Sequence, residues 1–100
     1  MNTPKIYQLV SYVNAYNKRE KSWESLRSVT KVFVGDEGLK TAIYDFEYEI
    51  KEFEFLMSQH LKKYSDKRGK VEVHVPFVHS NGSLAYWGEE VIKSHNPQNI

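Results

Sequence analysis

Cysteine is absent from the 100-residue chain, which excludes disulfides, thiolate metal sites and thiol catalysis. Proline is scarce, with three residues in all. No Pro/Gly-rich linker, repeat or low-complexity tract divides the chain, so residues 1–100 read as a single domain. No apolar run approaches the ~20 residues of a membrane span. The opening segment Met1 to Val10 lacks the basic-then-apolar layout of a signal peptide, so a cytoplasmic location with no membrane partner is expected. An excess of either charge is missing too. Fourteen Lys and Arg against thirteen Asp and Glu leave +1, which rules out a polycation and an acidic nucleic-acid mimic. What the chain does hold is 40% hydrophobic and 14% aromatic residues, enough for one modest core.

The first third reads as helical. Thr3 is a capping residue and Pro4 suits a first helical position. Ile6, Leu9, Val10, Val13 and Tyr16 then follow at helical spacing, which predicts a helix over 4–17. The polar run Asn17 to Lys21 ends it. Ser22 can cap a second amphipathic segment carrying Trp23, Leu26, Thr30 and Phe33 on one face. Its β-branched end, residues 29–34, is equally compatible with a strand, stopped by Gly35 in either case. Residues 36–65 carry two patterns. Tyr44, Phe46, Tyr48 and Ile50 alternate as in a strand, but that phase breaks at Phe53. The helical stripe Leu39, Ala42, Ile43, Phe46, Ile50, Phe53, Met57, Leu61 and Tyr64 runs without a slip, which predicts one long helix closed by a basic last turn and Gly69.

Beyond Gly69 the pattern alternates. Val71, Val73, Val75 and Phe77 interleave with Glu72, His74 and Pro76, and Asn81-Gly82 follows. Asn-Gly between alternating segments predicts a two-residue type I′ hairpin turn. That register pairs Phe77 with Tyr86 and sets Val71, Val73, Val75, Phe77, Leu84 and Tyr86 on the core face, with His74, Pro76, Val78 and Trp87 on the other. The tail 94–100 reads as frayed. The expected fold is therefore α+β: an N-terminal helical pair, one long helix, and a C-terminal antiparallel hairpin, with residues 29–34 available as a third strand.

Catalytic chemistry has little foothold. His74 and His79 stand five apart on a predicted strand and point to opposite faces, and His60 has no ligand-type residue one helical turn away. No metal and no cofactor is expected. No Gly-x-Ser-x-Gly elbow or phosphate-cradling loop is present. Metal-independent phosphoester hydrolysis by His74 or His79 with Lys and Tyr needs little motif and stands as one alternative.

Charge is segregated along the chain. Residues 1–35 hold six basic and two acidic groups, 36–54 two and seven, 55–70 five and one, and 71–100 one and three. Lys62, Lys63, Lys67, Arg68 and Lys70 form a basic patch that suits nucleic acid, although cations also belong at a helix C-terminus. On the long helix Asp45, Glu49 and Glu52 make an acidic ridge, and Tyr44, Tyr48 and Phe55 form a second stripe opposite the core. Aromatic residues in a row are enriched at interfaces. These features favour a small non-enzymatic module of inhibitor or immunity type. It would occlude a basic surface on a protein partner through Tyr44, Asp45, Tyr48, Glu49, Glu52, Phe55 and Trp87. An accessory protein that binds nucleic acid through the basic patch is the other alternative.

Overall fold

The segments expected to be the first two helices are strands. Ile6–Asn17 forms β1 and Ser22–Val34 forms β2. A 24-residue helix α1 (Gly35–Ser58) follows, then β3 (Tyr64–Val78) and β4 (Leu84–His95). This is a computed structural model, and it describes residues 4–96. The four strands make one antiparallel sheet in the order β2-β1-β3-β4. The class is α+β, but there is no N-terminal helical pair. The C-terminal hairpin is half of a continuous sheet, not a layer laid on helices.

The correction has a physical cause. β1 lies between β2 and β3 and is buried on both faces: Leu9 and Val13 lie under the helix, and Gln8 and Val10 are buried on the opposite side. Where both faces are buried, over residues 7–10, the strand loses the alternation that marks a half-buried one, and its apolar residues fall at helical spacings by chance. The β-branched and aromatic content of residues 6–16 and 29–34 was the better guide. The polar run after Asn17 is a hairpin turn. The Asn17 side-chain oxygen accepts from the backbone N–H groups of Arg19 (3.0 Å) and Glu20 (3.1 Å), and Lys21 takes a positive φ of 53°.

The long helix is present but ends at Ser58, not near residue 65. Leu61 is exposed in the connection and Tyr64 opens β3, so neither extends the core stripe. The basic segment stops the helix by a route other than a last turn. Lys67, from β3, donates its ammonium to the backbone oxygens of Leu56 (2.7 Å) and Gln59, covering carbonyls that the helix end leaves open. Gly69 sits buried in mid-strand opposite Val13. Tyr7, Leu9, Val13, Ala42, Phe46, Phe53, Val71 and Val73 form the core between α1 and the two central strands. Burying each of the Val, Leu and Phe side chains among them contributes about 1.5–3 kcal/mol.

The β3–β4 turn is wider than two residues. Gly82 N–H donates to His79 O (2.9 Å) and His79 N–H to Ser83 O (2.8 Å), with Gly82 at φ 88°. A type I′ turn needs positive φ at both central residues, and Asn81 does not have it. The register is therefore Val78 with Leu84 and Pro76 with Gly88. Phe77 (41% exposed) and Tyr86 (67%) leave the core face where they were expected, while His74 and Pro76 are buried. Bulges follow at Val73/His74 and Val75/Pro76. Ser94 and His95 close β4, and residues 97–100 of the expected frayed tail lie outside the described residues. No helix of the described residues is long and apolar enough to cross a membrane.

Candidate functional site

The helix covers one face of the sheet and leaves the other without a layer. Strand alternation puts even-numbered residues of β1 and β3 on this second face. The register sets Tyr16 beside Trp23 and Asp66, Asn14 beside Ser25 and Arg68, Tyr12 beside Ser28 and Lys70, and Val10 beside Thr30 and Glu72. Val10, Tyr12, Asn14, Ser25, Ser28, Thr30, Lys70 and Tyr86 line a shallow recess of about 340 Å³. At its end Trp23 is 44% exposed. The Tyr16 ring meets Trp23 edge-on at 5.5 Å, and the Arg68 guanidinium lies 4.9 Å from the Trp23 ring centre.

The topology also gathers charge at this end of the sheet. The β1–β2 turn carries Lys18, Arg19 and Lys21, and the α1–β3 connection carries Lys62 and Lys63. Lys18 N–H donates to Lys63 O at 3.0 Å, which locks the two basic loops side by side. Of the five cations expected in the patch, Lys62 and Lys63 are exposed there and Arg68 covers Trp23. Lys67 caps the helix, and half-buried Lys70 sits 3.3 Å from Glu72. Two features escaped the sequence reading: the partnership of loops 18–21 and 62–63, and the row Tyr12, Tyr16 and Trp23. The spacing of Tyr12, Asn14 and Tyr16 two apart was the available signal.

The opposite end of the same face is closed. Gly88 packs against the His74 ring so tightly that a side chain at position 88 would collide with it. His74 is fully buried; its Nδ1 lies 2.6 Å from Glu72 Oε2 and its Nε2 2.7 Å from the Gln8 side-chain oxygen. Both ring nitrogens are engaged inside the protein, with none free for substrate. His79 belongs to an aromatic group with Phe77 and Trp87, whose rings stack at 6.3 Å and 16°. Trp87 is 56% exposed on this hairpin arm. Among the described residues no group of three or more His, Asp or Glu is placed to hold a metal ion.

Comparison of the chain with protein-family models, with curated proteins and with solved structures finds no match. The geometry therefore has to speak through its own chemistry.

On the helix, Tyr44 (76%), Tyr48 (54%) and Phe55 (60%) are exposed. Each is two residues beyond a buried one (Ala42, Phe46 or Phe53), which places it opposite the core. The acidic residues do not stand free beside them. Glu49 is only 2% exposed and takes a fork of two 2.7 Å hydrogen bonds from Arg27. Asp45 is half-buried and bonds Lys31 at 3.3 Å. On the other flank Glu47 faces Lys93 (3.9 Å) and Glu54 faces His95 (2.5 Å). The acidic helix is thus paired to both edge strands. Burial pushes the Glu49 carboxyl up, but the Arg27 fork and charge outweigh it and hold it below the ordinary value. Hydrogen bonding to Glu52, and that carboxylate's charge, push the Tyr48 phenol up. The acidic ridge expected to face a partner is mostly a helix-to-sheet clasp, with Glu49 out of a partner's reach.

Proposed function

We propose that the protein is a non-enzymatic module that binds single-stranded nucleic acid on the helix-free face of its sheet. The observation that carries this reading is the Tyr16–Trp23–Arg68 group at the end of the sheet where loops 18–21 and 62–63 are joined. Cations at that end attract phosphates and release their counterions. The Trp23 ring, 44% exposed, with half-buried Tyr16 and Tyr12 behind it, offers bases a stacking surface, typically worth about 1–3 kcal/mol per base. Ser25, Ser28, Thr30 and Asn14 supply polar edges between the rings. A duplex keeps its bases stacked inside, so the face favours single strands. The test is fluorescence anisotropy with labelled single-stranded and double-stranded oligonucleotides. Single strands should bind more tightly, and Lys18→Glu with Lys63→Glu should abolish most of the affinity. Equal binding of both forms, or indifference to the two charge reversals, would overturn the reading.

A protein partner on the outer ridge of α1 is the second reading, favoured by the exposure of Tyr44, Tyr48 and Phe55. With Glu49 and Asp45 engaged by β2, the ridge no longer matches a strongly basic surface.

A further inference from the structure

We infer that the outer ridge of α1 is a self-association surface whose occupant is a second copy of this chain, packed antiparallel. This rests on the protein-binding reading of the ridge and is independent of the nucleic-acid reading, which concerns the opposite layer. The ridge residues Tyr44, Tyr48, Lys51 and Phe55 project within about 40–60° of one another. Their spacing is symmetric about a point between Glu49 and Ile50. A two-fold axis through that point sets Tyr44 of one protomer against Phe55 of the other, and Tyr48 against Lys51. Ring meets ring at the two ends, and cation meets ring on either side of the axis. An isologous contact requires this self-complementarity, in which i meets j and j meets i. A parallel pairing would oppose Lys51 to Lys51.

Of the flanking carboxylates Glu52 reaches the ridge, at the Tyr48 hydroxyl, and leaves the face of that ring open. Glu47, Glu54 and Asp45 turn toward Lys93, His95 and Lys31 of the edge strands of their own chain. Lys51 stands three residues from Tyr48 and four from Phe55 on the helix, and it makes no ion pair among the described residues. Given exposures of 76%, 54% and 60%, the three rings would cover about 400 Å² per protomer. Counting both protomers and the stem of Lys51, that falls below the ~1,200 Å² that separates transient from stable interfaces. The dimer is a weak one, formed at high concentration. In it the two helix layers meet and the two helix-free sheet faces point away from each other, so one dimer presents two independent nucleic-acid surfaces.

Sedimentation equilibrium of the full chain over a wide concentration range tests this directly. The average mass should rise toward that of a dimer, and Tyr48→Lys, which removes the ring and sets a second cation against Lys51 of the other protomer, should weaken association by at least about tenfold. Because Tyr48 is exposed, its variant should keep the wild-type melting curve. The absence of cysteine allows a geometric check. An equimolar mixture of Tyr44→Cys and Phe55→Cys should oxidise to a mixed disulfide, while each alone should not, since like positions lie about 16 Å apart along the axis. A monomer at every concentration would overturn the proposal. So would a dimer indifferent to Tyr48→Lys, or self-cross-linking of Tyr44→Cys alone.

Discussion

Arg27 grips Glu49 through two parallel hydrogen bonds of 2.7 Å, Nε to Oε1 and Nη2 to Oε2, and this fork fastens edge strand β2 to the helix. Glu49 is 2% exposed, so its charge is tolerated only because the guanidinium neutralises it in place. Removing one partner leaves the other stranded. Arg27→Ala should cost about 3 kcal/mol. Measured by thermal denaturation, that is a loss of more than about 10 °C for a domain of this size. Arg27→Lys should recover only part, because an ammonium cannot form the fork.

The same pair sets the acid limit of the fold. The folded-state value of Glu49 lies below the ordinary 4.5, so the unfolded chain binds more protons as the pH falls past that point. The contribution of Glu49 is complete above the unfolded value and is lost as pH drops through the folded one. Glu24 behaves alike, lowered by hydrogen bonds from Tyr64 (2.6 Å) and Asn17 (2.8 Å). Urea denaturation should therefore show falling stability below about pH 4.5. Glu49→Gln should lower stability at neutral pH and flatten that acid slope.

His74 separates a structural from a catalytic role. It joins Glu72 to Gln8 beneath Gly88, with no ring nitrogen left over. His74→Ala would orphan the buried Gln8 oxygen, at about 1–3 kcal/mol, and leave Glu72 with Lys70 alone. The expected outcome is a lower melting temperature with no loss of any hydrolytic activity on labelled RNA. Turnover by the wild type that His74→Ala or His79→Ala abolishes, with the fold intact, would support a nuclease instead.

Lys67 and Lys63 are near neighbours in sequence with different work to do. Lys67 closes the helix end through Leu56 O and Gln59 O, whereas Lys63 is exposed, with its ammonium 5.0 Å from the Tyr64 ring. Lys67→Met should lower stability by about 1 kcal/mol and leave oligonucleotide affinity nearly unchanged. Lys63→Glu should do the reverse, with stability moving by less than about 0.5 kcal/mol.

The helix was legible in the sequence because its outer face is solvated. One side of residues 39–57 is polar, so the 3.6-residue period stands out, and Tyr44, Tyr48 and Phe55 emerge opposite Phe46 and Phe53. β1 was illegible for the converse reason. Buried on both faces over residues 7–10, its first half offers no alternation, and Ile6, Leu9, Val10 and Val13 imitate a helical stripe. The acidic ridge is visible as a pattern but not in its use, because Arg27 and Lys31 reach it only once residues 22–34 are a single strand beside the helix. Asn81-Gly82 does lie in the β3–β4 connection, but the turn spans residues 79–83 and not two residues. Asn-Gly also fits a loop in which only the glycine is left-handed, and the register shifts with it. The basic loops 18–21 and 62–63 meet only once the chain order of the sheet is known.

The central claim is that bases stack on the Tyr16–Trp23 end of the sheet under the control of the surrounding cations. The most direct measurement is the fluorescence of Trp23 in a Trp87→Phe background, titrated with unlabelled single-stranded oligonucleotide at several salt concentrations. The account predicts saturable quenching, with log affinity falling linearly against log salt. The slope should shrink when Lys18→Glu and Lys63→Glu are introduced. Trp23 emission that stays unchanged while the oligonucleotide binds, or an affinity independent of salt, would contradict it.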